Sequence, residues 1–186
     1  MAGQLDWSIF GKDPSVNKTV VPDDTRHTYD LFNLTDSNAL VYGHRPGDNI
    51  NLRWGDPDKS DNIRFERESG SKDPLRYGEP IAINVREGKF LVYESGRWGI
   101  NLGWSDKPRF EWKLMGGEKG EVVPTFKPVG LYNSVEHDYL IYESRDSGIN
   151  LKWFKDSGKY QEISKAISTG KDLVEFGKTI GSIFGG

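Results

Sequence analysis

The chain has 186 residues, a formal net charge of −3 and no cysteine. This length suits one domain with or without an appendage, and the missing cysteine excludes a disulfide framework and cysteine-ligated zinc. With no long basic run, the chain lacks the cationic surface on which nucleic-acid affinity depends, so we predict no nucleic-acid partner. Six Trp, nine Phe and eight Tyr must supply much of the core.

The N-terminal segment, residues 1–27, precedes any regular pattern. It has neither the basic stretch nor the apolar run of a signal peptide, which predicts a protein that is cytoplasmic or released without a classical signal. Its apolar residues are Leu5, Trp7, Ile9 and Phe10. We expect this segment to pack as an arm on the outside of the following domain.

Three copies of one pattern follow. They share Leu-Val-Tyr or Leu-Ile-Tyr at 40–42, 91–93 and 140–142, and Ile-Asn-Leu-x-Trp at 50–54, 100–104 and 149–153. Another alternating segment precedes each tyrosine and another follows each tryptophan, the last of these at 159–162. Alternation of apolar and polar residues is typical of half-buried strands. The sequence predicts an all-β domain over 28–165, with four-stranded repeats at 29–69, 80–115 and 128–165 and exposed junctions at 68–79 and 115–126.

Twelve strands in three such repeats resemble the β-trefoil superfamily, in which a six-stranded barrel is closed by a cap of three hairpins. The apolar residues of the repeated motifs are then barrel core. A β-propeller would need about 4–8 blades, more than three repeats supply. Resemblance to trefoil lectins implies one shallow sugar site per repeat, although the repeated Gln-x-Trp of ricin-type lectins is absent.

The C-terminal segment, residues 166–186, changes period. Its apolar residues recur near one face of a helix, which predicts an amphipathic helical tail. Gly170, Gly177 and Gly181 each weaken such a helix by roughly 0.5–1 kcal/mol. We expect the tail to dock on its own domain or on a second copy as a homodimer, with membrane contact or disorder as the alternatives.

No motif names a reaction. His27 lies in the N-terminal segment, His44 in a loop of the first repeat and His137 in a turn of the third, so the three histidines indicate neither a catalytic triad nor a metal site. We predict a protein that is not an enzyme, with no catalytic residue, no metal and no cofactor.

The loop between the second and third strands of each repeat varies most, and each loop couples arginine with an acid or an amide. Such groups suit sugar hydroxyls, and Trp98 would offer a platform for the C–H face of a sugar ring. The predicted ligand-binding residues are His44, Arg45, Asp48, Asn51, Glu94, Arg97, Trp98, Asn101, Glu143, Arg145, Asp146 and Asn150.

Three similar loops favour a multivalent lectin whose partners are glycans or glycoproteins, since weak sites gain avidity together. One alternative is a protein-binding module such as a protease inhibitor. Another is a toxin-like protein whose C-terminal helix binds a membrane or a partner.

Overall fold

A computed structural model describes residues 4–12, 18–22, 28–44, 50–56, 63–86, 88–96 and 99–168. These described residues are mostly β, with a curled antiparallel sheet and one short helix among them, so the predicted all-β class is confirmed. The strands are β1 (Trp7–Gly11), β2 (Tyr29–Asn33), β3 (Ala39–Tyr42), β4 (Leu52–Gly55), β5 (Arg64–Glu66), β6 (Ala82–Arg86), β7 (Lys89–Tyr93), β8 (Leu102–Ser105), β9 (Trp112–Met115), β10 (Pro128–Asn133), β11 (Asp138–Tyr142) and β12 (Leu151–Trp153). A 3-10 turn, Phe154–Asp156, leads into helix α1, Gly158–Ser168.

The strands form two antiparallel sheets. The larger has the order β12-β11-β10-β1-β2-β3-β4, with β9 also paired to β10, and the smaller has the order β5-β6-β7-β8. Two isolated bridges, Tyr29 with Ile63 and Ile81 with Trp112, connect strands of one sheet to residues beside strands of the other. These two bridges therefore join the two sheets.

Three strand pairings have the same register. Leu31 of β2 faces Ile9, Ile83 of β6 faces Phe65, and Leu131 of β10 faces Leu114. In each case the first strand of a sequence repeat pairs with a strand that precedes it in the chain. Strands β1, β5 and β9 thus hold corresponding places.

The N-terminal segment is part of this frame, and the prediction of an outside arm is wrong. Trp7 and Ile9 have no exposed surface and belong to the main core. The indole N–H of Trp7 donates to the carbonyl oxygen of Leu140 at 2.7 Å, just as that of Trp112 donates to Leu91 at 2.7 Å. The physical reason is that β1 lies between β10 and β2 and completes their backbone pairing.

An acidic residue precedes both of these tryptophans. The Glu111 carboxylate accepts the backbone N–H of Tyr93, and the Asp6 carboxylate accepts that of Tyr142. Burial raises the pKa of Asp6, against the lowering effect of nearby Lys159. The pairs at 6–7 and 111–112 therefore make the same contacts with two different repeats.

The predicted fourth strand of the third repeat, residues 159–162, is wrong, because these residues lie in helix α1. Ser157 caps the helix: its hydroxyl accepts the N–H of Tyr160 at 3.1 Å and its carbonyl accepts that of Gln161 at 3.2 Å. A strand here would compete with β1 for the edge of β10. The helix thus begins eight residues before the predicted tail, whose remaining residues, 169–186, lie outside the described part of the chain.

The junctions at 68–79 and 115–126 were predicted to be exposed, but each contributes a fully buried residue, Leu75 in one and Val123 in the other. Val20 of the N-terminal segment is fully buried beside them. Their backbones form a closed triangle, because Val20 donates to Val123 at 2.9 Å, Val123 to Leu75 at 2.8 Å, and Leu75 to Val20 at 2.8 Å. One point of each junction is therefore anchored in the core, while many of its other residues are exposed, as predicted.

The repeated tyrosines and tryptophans form a second closed cycle, which we call the aromatic cycle. Each tyrosine contacts a tryptophan of another repeat with ring centroids 5.2–5.9 Å apart, and the pairs are Tyr42–Trp104, Tyr93–Trp153 and Tyr142–Trp54. Trp104 donates to the carbonyl oxygen of Ile50 at 2.7 Å and Trp153 to that of Ile100 at 3.0 Å. The Trp54 N–H is buried with no partner among the described residues. Trp153 belongs to the main core, and Tyr42, Tyr93, Trp54 and Trp104 pack on it, as predicted.

Candidate functional site

The structure places eight of the twelve predicted ligand-binding residues, all in the three loops that follow the repeated tyrosines. His44, Glu94 and Asp146 are exposed. Five are partly buried: Asn51, Asn101, Glu143, Arg145 and Asn150. The remaining four, Arg45, Asp48, Arg97 and Trp98, lie outside the described residues.

The loop asparagines hold their own loops. The amide oxygen of Asn101 accepts the N–H of Gly96, and that of Asn150 accepts the N–H of Arg145, both at 3.1 Å. Such side-chain bonds to the backbone close a loop from inside. These oxygens are therefore already engaged, and a sugar-binding role for the two asparagines stays a prediction.

The acid at the start of the loop differs between repeats. Glu143 pairs with Lys152 at 2.6 Å and accepts the N–H of Gly158, the first residue of α1, at 3.1 Å. Glu94 instead lies over Gly103, where an added Cβ would come within 1.9 Å of its carboxylate. The first loop has Gly43 at this point. The three loops are thus chemically unequal.

A second candidate site lies on the outward face of β9, β10 and β11. It is a cleft of about 230 Å³, which we call the tyrosine cleft. Its lining residues are Tyr77, Gly78, Lys113, Met115, Gly117, Lys119, Tyr132 and Tyr139. None of them was predicted from the sequence.

Strand alternation builds the floor of the tyrosine cleft. Leu131 and Leu140 are fully buried in the core, so Tyr132 and Tyr139, their neighbours along the strands, face outward. The two tyrosines are directly opposite in register, with ring centroids 5.2 Å apart in an edge-on arrangement. Lys113 of β9 faces Tyr132 from the other side. The floor is therefore an aromatic pair beside a lysine.

The junctions at 68–79 and 115–126 build the wall. The backbone N–H of Tyr77 donates to the carbonyl oxygen of Glu121 at 2.9 Å, and that of Gly120 donates to the carbonyl oxygen of Tyr77 at 3.1 Å. Gly117 lets the wall approach closely, since a Cβ there would lie 2.3 Å from the Tyr77 ring. Burial, and then the Glu121 carboxylate, raises the pKa of Tyr77. Burial also raises the pKa of Tyr139, so both hydroxyls remain protonated donors at neutral pH.

The other two repeats close the corresponding outward face. Phe32 faces Ala39 in the first repeat, and Asn84 faces Phe90 in the second, in the register that joins Tyr132 to Tyr139. Phe32 and Phe90 are buried at 7% and 5% exposure within small separate clusters. A further phenylalanine packs on each cluster: Phe10 in the first and Phe110 in the second. The open tyrosine pair of the third repeat is therefore not a requirement of the repeated fold.

Part of the tyrosine cleft had a sequence signal. Tyr132 and Tyr139 alternate with core leucines, which marks them as an outward aromatic pair. Tyr77 and Lys119 carried no such signal, because they lie in the junctions.

Among the described residues, no three His, Cys, Asp or Glu side chains are grouped to hold a metal ion. Within the same residues, no helix combines the length and apolarity needed to cross a membrane. Comparison with protein-family models, with curated proteins and with solved structures found no match. The function must therefore be argued from the site itself.

Proposed function

We propose that the protein is a carbohydrate-binding protein, a lectin on a β-trefoil frame, and that the tyrosine cleft is its principal sugar site. One observation carries the proposal: the third repeat leaves open, and lines with tyrosine, a face that the other repeats cover with phenylalanine. Aromatic side chains that line a partly open cleft are typical of binding surfaces.

Three features support the trefoil frame. They are the shared register of β1, β5 and β9 against the first strands, the backbone triangle of Val20, Leu75 and Val123, and the aromatic cycle. Each of these features involves three corresponding parts of the chain. In this frame β1 takes the place of the fourth strand of the third repeat.

The chemistry of the cleft fits a sugar ring. Tyr132 and Tyr139 offer aromatic surface to the C–H face of a pyranose, and their hydroxyls with that of Tyr77 can donate to or accept from sugar hydroxyls. The cleft is smaller than the ~300–1,000 Å³ of pockets that enclose a drug-sized ligand. It suits one monosaccharide unit, with the rest of the glycan outside.

Substitution of the floor tyrosines tests the proposal. Once a glycan array has identified a ligand, we expect Tyr139→Ala and Tyr132→Ala each to weaken its binding at least about ten-fold by calorimetry, because stacking surface is lost. Tyr139→Phe should keep most of the affinity, since the ring remains. Tyr160→Ala is the matched control, because Tyr160 is 41% exposed on α1 and does not line the cleft.

Thermal melts must show that the variants fold. Wild-type affinity in both alanine variants, with binding lost in Trp98→Ala, would move the site to the loops predicted from the sequence. Failure of the wild-type protein to bind across a broad array would contradict the lectin proposal itself.

A further inference from the structure

Two lysines line the tyrosine cleft from different elements. Lys113 is partly buried on β9, and Lys119 is exposed in the turn that holds Tyr77. Neither ammonium group forms an ion pair or hydrogen bond with another residue in the described part of the chain. Other lysines do: Lys12 pairs with Asp30 at 3.0 Å and Lys152 with Glu143 at 2.6 Å. The cleft therefore presents two cations that no described carboxylate neutralises.

The acids closest to the cleft tyrosines are held by backbone groups. Asp138, behind Tyr139, is 8% exposed and accepts the N–H groups of Tyr139 and Lys155, each at 2.8 Å. Glu121, beside Tyr77, accepts the N–H of Glu118 at 3.1 Å. These bonds direct the two carboxylates to the backbone. Both carboxylates keep their charge, but neither lines the cleft, whose charged lining side chains are the two lysines.

We infer that the tyrosine cleft takes an acidic sugar residue, whose carboxylate or sulfate pairs with Lys113 and Lys119 while its ring lies on the tyrosine pair. Ammonium groups bind such anions as point charges, and partial burial of Lys113 strengthens the attraction. The whole chain carries a net charge of −3, so anionic glycans gain no general attraction to its surface. This inference rests on the proposed lectin function and names its ligand class.

The test compares three oligosaccharides of equal length by calorimetry: a sulfated heparin fragment, a uronate-only oligogalacturonate and a neutral cello-oligosaccharide. We expect one or both acidic probes to bind at least about ten-fold more tightly than the neutral one in low salt, with affinity falling as salt is added. The arm that binds identifies sulfate or carboxylate as the anion.

Lysine variants locate the effect. Lys113→Gln and Lys119→Gln should each weaken binding of the acidic probe at least about five-fold, a loss near 1 kcal/mol, while thermal melts stay unchanged. Lys107→Gln is the matched control, because Lys107 is exposed and lies outside the cleft.

Equal affinity for acidic and neutral probes would overturn the inference, as would unchanged affinity in both cleft variants. Equal losses in Lys107→Gln would also overturn it, since they would indicate general surface attraction. In these cases sensitivity of neutral-glycan binding to Tyr139→Ala would leave the lectin proposal standing. Absence of binding to all three probes and to a broad array would contradict both the acidic-sugar inference and the lectin proposal.

Discussion

Deletion of residues 1–11 is expected to abolish stable folding. The deletion removes β1, empties the core of Trp7 and Ile9, and leaves the edges of β10 and β2 without their shared partner. Loss of a buried tryptophan costs about 3–5 kcal/mol and of a buried isoleucine about 2–5 kcal/mol, against a typical domain stability of about 5–15 kcal/mol. Circular dichroism during denaturant unfolding measures the result.

A chain lacking only residues 1–3 is the control, because it keeps all of β1. A cooperative unfolding transition at the wild-type midpoint for the chain of residues 12–186 would show that β1 is dispensable. The segment would then be an outside arm, as its sequence alone suggested.

The second large effect is expected at Trp153. Its side chain is 2% exposed, it stacks on Trp112 with centroids 6.2 Å apart, and its N–H donates to Ile100. Trp153→Ala should lower the free energy of unfolding by about 3–5 kcal/mol. Urea titration followed by circular dichroism measures it.

Trp54 is the matched comparison. It occupies the corresponding position in the first repeat, but it is partly exposed and its N–H has no partner among the described residues. Trp54→Ala should therefore cost less than Trp153→Ala, and Trp54→Phe should leave stability nearly unchanged. Equal losses for the two alanine variants would contradict these burial differences.

The strands inside the repeats could be predicted because their signal is local. Leu40, Leu91 and Leu140 alternate with outward residues over a few positions, and period-two alternation predicts a strand without knowledge of its partner. No local sequence pattern predicts which strands β1 pairs with. Its indole bond joins residues 133 apart, from Trp7 to Leu140, and only the likeness of Asp6-Trp7 to Glu111-Trp112 hinted at it.

The helix at the end of the third repeat shows why local likeness can mislead. Residues 159–162 resemble the fourth strands of the other repeats, yet Ser157 supplies a helix cap and β1 already occupies the strand position. Residues 159–162 therefore form a helix because β1 occupies the position of the strand, even though the local sequence pattern favours a strand.

The candidate site could be predicted only in part. Variation among the repeats favoured the loops around Trp98 as the binding site, because residues that differ between repeats are not required by the repeated fold. Enclosure depends on the three-dimensional structure: Tyr77 lines the same cleft as Tyr139 because the junctions pair through their backbones and Gly117 has no side chain. The outward pair Tyr132 and Tyr139 was visible in the sequence, but its open cleft was not.

The most direct test of sugar binding in the tyrosine cleft uses its methionine. Met115 lines the cleft, and the chain contains two methionines, the other being Met1. Protein labelled with ¹³C-methyl methionine should therefore give two resonances. During titration with a glycan chosen from the array, we predict that the Met115 resonance shifts with the affinity found by calorimetry, and that Tyr139→Ala abolishes the shift. Saturated glycan binding with the Met115 resonance unmoved would contradict the proposed site.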